Sequence, residues 1–94
     1  SSHGKRLFSR YCCVHYSPRP KATQPPRLGI TVTKKYGKAH DRNAFKRMAR
    51  EVFRHLDLPP LDLNVRPTKP HQEIPLSELQ ADIQTALKKV ARSL

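Results

Sequence analysis

The sequence predicts an α+β fold in two layers, a small sheet of three to four one-faced strands covered by two amphipathic helices, and three observations predict it. Short runs rich in β-favouring residues, "YCCVHYS", "RLGITVT" and "LDLNVRP", alternate so that the apolar side chains fall mainly on one face. Two longer stretches, ending near Leu56 and near Arg92, repeat apolar residues at the helical period. Breakers such as "PRPKATQPP" and "DLPP" separate these runs. Sheet and helices each carry one apolar side, and stacking them buries both. A chain of 94 residues holds one such domain, residues 1–94, with an adequate core.

Residues 1–10, "SSHGKRLFSR", contain no complete helical period and read as a frayed entry into the sheet. In the first strand Cys12, Val14 and Tyr16 share one face, and Tyr11, Cys13 and His15 the other. The run Pro18 to Pro26 holds four prolines and is a loop, long for a hairpin but leaving its flanking strands able to pair. Leu28, Ile30 and Val32 alternate with Gly29, Thr31 and Thr33 in the second strand. Gly37 allows a tight turn into a helix that starts between Ala39 and Arg42, with Asp41 as candidate cap. Phe45, Met48, Ala49, Val52, Phe53 and Leu56 form its apolar arc. Pro59 and Pro60 end it, because Leu58 cannot stay helical before a proline. Leu61, Leu63 and Val65 then line a third strand. After the loop "TKPHQEIP", the run "SELQ" matches a capping box, with Ser77 as cap, Gln80 returning the hydrogen bond and Leu76 stapled on Ala81. The helix that follows buries Leu79, Ile83, Leu87 and Val90.

Charge narrows the function. Nineteen Lys plus Arg against 7 Asp plus Glu leave a formal net charge of +12, which favours a polyanionic partner. Nine of those cations lie between Arg27 and Leu56, opposed only by Asp41 and Glu51. Arg42, Lys46, Arg50 and Arg54 stand four apart on the first helix, and like charges at that spacing cost an isolated helix about 0.2 to 0.5 kcal/mol per pair. Basic side chains near a helix N-terminus also oppose the macrodipole. A phosphate backbone against Arg42, Asn43, Lys46, Arg47, Arg50 and Arg54, with Lys34, Lys35 and Lys38 beside them, relieves both penalties.

Other classes fit less well. No long apolar run, Trp or lipidation signal supports a membrane partner, and no secretory signal is visible, so a cytoplasmic protein is expected. "TVTKKYGK" lacks the Walker pattern, so nucleotide hydrolysis has no support. The carboxylates and histidines are dispersed, and no catalytic residue is assigned. Cys12 and Cys13 are adjacent, lack finger spacing, and read as strand cysteines of a reducing compartment rather than metal ligands.

The run "RLGITVTKKYGKAHDRNAFKRMAREVFR", Arg27 to Arg54, resembles the signature of the protein subunit of bacterial ribonuclease P. In that family a strand of R-x-G-[IL]-[ST]-V-[ST]-K-K type leads through a glycine turn into an R-N-R helix, and a strand like "LDLNVRP" and a helix like "LSELQADIQTALKKV" follow. The resemblance implies a mixed sheet with a left-handed strand-helix-strand crossover. It also implies that a catalytic RNA subunit, with Mg2+, removes the 5′ leader of precursor tRNA. The protein would bind that RNA subunit through the helix matched here by Arg42, Asn43, Lys46, Arg47 and Arg50. The leader would lie on a sheet face carrying Tyr11, Cys13, His15 and Thr31. Neither a further protein partner nor a protein-only metal site is implied. Ala44 stands at the third position of R-N-R and removes one cation, and the family's N-terminal helix is expected to be missing before "HGKR". A structural RNA-binding protein, such as a ribosomal protein, and a self-sufficient basic nuclease are the competing readings.

Overall fold

The structure, a computed structural model, describes residues 4–18 and 25–93. Strands β1 (Lys5–Phe8), β2 (Cys12–Pro18) and β3 (Arg27–Ile30) precede helix α1 (Ala39–Arg54). Strand β4 (Leu61–Pro67), one 3-10 turn (His71–Glu73) and helix α2 (Leu76–Arg92) complete the chain. The four strands form one mixed sheet in the order β1-β2-β4-β3, antiparallel except for the β3–β4 pair.

The alternation of β2 and β4 puts Cys12, Val14, Tyr16, Leu61, Leu63 and Val65 into one core with Phe45, Ala49 and Val52 of α1 and Leu79, Ile83, Leu87 and Val90 of α2. The other sheet face carries no helix among the described residues. It presents Arg6 and Phe8 from β1, Cys13, His15 and Ser17 from β2, and Asp62, Asn64 and Arg66 from β4, rows that the register aligns across the sheet.

Several expectations are corrected. "KRLF" is an edge strand, not a frayed entry; residues 1–3 of that stretch lie outside the described residues. β2 and β3 do not pair, because β4 inserts between them and hydrogen-bonds both; residues 19–24 of the intervening loop lie outside the described residues. β3 stops at Ile30, although Thr31 N–H still donates to Val65 O at 3.0 Å. On α1, Asp41 is the third helical residue rather than the cap: its Oδ2 accepts the N–H of Lys38, the capping residue, at 3.1 Å. Gly37 follows the turn closed by Tyr36 N–H on Thr33 O and leaves room for the Asp41 side chain, since a Cβ there would sit 2.9 Å from Asp41 Oδ2. Of the expected apolar arc, Phe45, Ala49 and Val52 are buried, while Met48, Phe53 and Leu56 are only partly buried and pack against the margin of the core. The α2 capping box does not form. Pro75 caps the helix instead, its carbonyl accepting Glu78 and Leu79 N–H at 3.0 Å each, so Ser77 already lies in the first turn. Leu76 is 54% exposed and staples nothing.

Candidate nucleic-acid interface

Helix α1 turns its sequence charge into a surface. With Phe45, Ala49 and Val52 held in the core, the opposite side presents Asn43, Arg47, Arg50 and Arg54, which line a shallow concavity of about 460 Å3 with Glu51. The four-apart column expected from sequence divides. Arg50 and Arg54 are exposed, whereas Arg42 and Lys46 sit half-buried at the edge of the apolar arc, and Arg42 Nε is shielded without a hydrogen-bond partner. Arg54 is also engaged, donating to Glu51 Oε1 and Oε2 at 3.1 and 2.9 Å, while His55 Nε2 lies 2.9 Å from the same carboxylate. The hydrogen bond from His55 first, and the charge of Arg54 second, hold the Glu51 carboxyl below its usual range. Among the described residues, Arg47 and Arg50 have no carboxylate partner, so of the exposed arginines of α1 they are the ones available to an anion. Lys34, Lys35 and Lys38 are exposed on the turn leading into the helix.

The open sheet face holds three of the expected leader-face residues, in different states. Thr31 is exposed, and its hydroxyl donates to Asn64 Oδ1 at 3.1 Å. His15 is half-buried, with Nε2 shielded and unpartnered, beside a concavity of about 400 Å3 that Arg6, Ser17 and Asn64 also line. Cys13 belongs to this face by register but has no exposed surface. Gly29 lies opposite Asn64, and a Cβ there would meet the Asn64 amide at 3.0 Å, so glycine leaves room for that side chain.

Tyr11 is placed elsewhere. It precedes β2, so strand alternation does not govern it, and its ring is buried in the core with 5% exposure. Its hydroxyl donates to Glu78 at 2.9 Å and its N–H to Asp82 at 2.9 Å. Asp82 also accepts from Ser9 Oγ at 2.7 Å and Arg10 N–H at 3.1 Å, which ties the β1–β2 turn to α2. Burial, reinforced by the bond to Glu78, pushes the Tyr11 hydroxyl up. Sequence reasoning missed this pair of α2 carboxylates; their spacing of four was the available signal. It also missed Phe8, 63% exposed on the open face opposite Cys13, because β1 was too short to show alternation; Arg66 on the same row was legible from the alternation of β4 but was not assigned to the site.

Among the described residues, no cluster of three His, Cys, Asp or Glu could hold a metal ion. Cys12 and Cys13 are both buried and free, and burial pushes the Cys12 thiol up to about 12. No helix among the described residues is long and apolar enough to cross a membrane.

Comparison with known proteins gives one consistent answer. The ribonuclease P protein component of Thermus brockianus is 42% identical over 86 residues, 92% of this chain and 51% of that protein. That of Chlamydia pneumoniae is 56% identical over 52 residues, 53% of this chain and 37% of its own. The chain therefore spans about half the length, or less, of these curated relatives. Among solved structures, the RNase P protein of Staphylococcus aureus superposes with a TM-score of 0.82 at 28% identity, covering 95% of this chain and 83% of that one. The Thermotoga maritima RNase P protein gives 0.74 at 27% identity, covering 99% and 86%. The family profile described as Ribonuclease P matches residues 1–91, and with the shared α+β fold this establishes that the chain belongs to the ribonuclease P protein family.

Proposed function

We propose that this chain is the RNA-binding subunit of a ribonuclease P, holding a catalytic RNA on the exposed side of α1 and the 5′ leader of precursor tRNA on the open sheet face. The carrying observation is the row Asn43, Arg47, Arg50 on a helix whose other side is locked in the core. Such a row can meet a phosphate backbone without disturbing the fold, and phosphate contacts position rather than specify. Lys34, Lys35 and Lys38 extend it at the helix entry. His15 and Thr31 offer the leader polar groups and a ring, while Cys13 contributes packing beneath them.

Chemistry is assigned to the RNA subunit. Glu51, the acid that lines the basic row, is occupied by Arg54 and His55. Mg2+ is proposed to act among RNA phosphates, with the protein lowering their repulsion by its positive charge. A cytoplasmic location is part of the proposal and is supported by the RNA partner it names. The test is cleavage of precursor tRNA by the RNA subunit at low Mg2+, with and without the protein, and with protein alone. Stimulation only when both are present supports the proposal; cleavage by protein alone, or no stimulation, rejects it.

A further inference from the structure

Helix α1 begins on a residue that cannot accept a capping hydrogen bond. The Lys38 side chain has no acceptor atom, so the reciprocal half of the cap falls to Asp41, whose Oδ2 accepts Lys38 N–H at 3.1 Å. Asp41 is the one acid of the first turn, and its side chain is only 14% exposed, although Lys34, Lys35 and Lys38 just before it are open to solvent. None of these lysines pairs with it. Among the described residues, the groups within ion-pair distance of its Oδ1 are two imidazoles, His40 Nε2 at 3.1 Å and His71 Nε2 at 3.4 Å.

The two histidines are not equivalent. His40 is the neighbouring residue on the same helix and is exposed, so it joins no separate element to α1. His71 is half-buried and belongs to the 3-10 turn between β4 and α2. That turn is a fixed post, because Glu73 N–H donates to Pro70 O at 2.9 Å, Ile74 N–H donates to His71 O at 3.2 Å, and the Ile74 side chain is buried in the core. From it His71 meets the helix entry at three points. Its N–H donates to Tyr36 O at 2.7 Å, its ring stands edge-on to the Tyr36 ring at 5.9 Å, and its Nε2 faces Asp41. Tyr36 in turn packs edge-on against Phe45 of α1 at 5.3 Å, and Gly37 leaves the room that the Asp41 carboxylate fills.

We propose that His71 is a positioning residue for the RNA-binding helix: from the β4–α2 connection it clasps Asp41 and Tyr36, fixing how α1 and the lysine turn before it are presented, without touching RNA itself. The proposal rests on the RNA-binding reading above and gives a role to a residue outside the basic row. Because the clasp occupies Asp41, that carboxylate does not withdraw a lysine from RNA as Glu51 withdraws Arg54.

The test is the affinity of the full chain for the RNA subunit at constant salt, with folding verified by circular dichroism. His71→Ala should weaken binding by about two- to fivefold, as for the loss of coupling between contacting residues, and should speed amide exchange at Lys38. His71→Gln, whose side-chain amide reaches the place of Nε2, should recover most of the loss; His71→Asn, too short to reach it, should not. Asp41→Ala separates charge from position, because deleting an anion from a protein that binds a polyanion raises affinity by charge alone, whereas losing the clasp lowers it. A chain carrying Asp41→Ala and His71→Ala together should bind little more weakly than either single variant. Unchanged affinity for folded His71→Ala, equal behaviour of the Gln and Asn variants, tighter binding by Asp41→Ala, or additive losses in the double variant overturn the proposal. Should His71→Ala fail to fold, the Gln and Asn variants are compared by the same criterion. An Arg47→Gln, Arg50→Gln chain runs alongside: a loss from it with none from His71→Ala rejects the clasp alone, and no loss from either rejects the RNA-binding reading as well.

Discussion

Arg50 and Arg54 are one turn apart on the same exposed side of α1, yet the structure predicts that they contribute unequally to RNA binding. Arg54 is held by Glu51 at 2.9 Å and must break that pair to reach a phosphate, whereas Arg50 has no carboxylate partner among the described residues. A cation that neutralises one phosphate contributes about 0.9 to the slope of log K against log salt on a duplex, or about eightfold in affinity at 0.1 M salt if counterion release is the whole gain. Arg50→Gln should therefore cost about one unit of slope, and Arg54→Gln well under half of that. Glu51→Gln should do the reverse, freeing Arg54 and steepening the slope by up to about one unit. The Glu51 carboxyl is held below its usual range, so its pairing is present above the ordinary carboxylate pKa and is lost only as pH falls through the lowered folded value. The inequality between Arg50 and Arg54 should accordingly persist from about pH 5 to 8. Binding of labelled RNA subunit over a salt series measures all three variants. Equal losses for Arg50→Gln and Arg54→Gln, with no gain for Glu51→Gln, would refute the reasoning.

Stability provides three further tests. Phe45→Ala should cost about 3 to 5 kcal/mol, because the ring is 1% exposed and edge-on to Tyr36, while Phe53→Ala at its half-buried site should cost about 1 to 2; urea melts showing equal costs would contradict the placement of α1. Asp82→Ala removes the acceptor for Ser9 Oγ and for Arg10 and Tyr11 N–H, and should destabilise by about 2 to 3 kcal/mol, with faster amide exchange at Tyr11 as its local signature. Cys12 and Cys13 should resist a thiol reagent in the native protein at pH 8 and react fully in denaturant, since both are without exposed surface and the Cys12 thiol is pushed up to about 12; rapid native labelling of both would show that the sheet is more open than described.

What the sequence by itself determined is whatever depends on period and local charge. The alternation of β4, the 3.6-residue apolar repeat of both helices and the crowding of cations from Lys34 to Arg54 are local patterns, so the layers and the basic helix were legible from them. The family motif lies in the same stretch and identified the same helix. Tertiary structure alone decided the rest, because it turned on which segments meet. β4 separates β2 from β3 only by bringing together residues more than thirty positions apart, which no local pattern encodes. Tyr11 left the open face because Glu78 and Asp82 on α2 supply acceptors that the turn cannot supply for itself. Arg54 was withdrawn from the basic row by the side-chain rotamers that bring it to Glu51, a choice that residue spacing permits but does not impose. Lys35, Arg66 and Lys69 come from separate segments and line one concavity only in the folded chain, where His71 N–H bonds to Tyr36 O at 2.7 Å. Spacing along a chain reports neighbours on one element; charges from separate elements become a site only when packing brings those elements together.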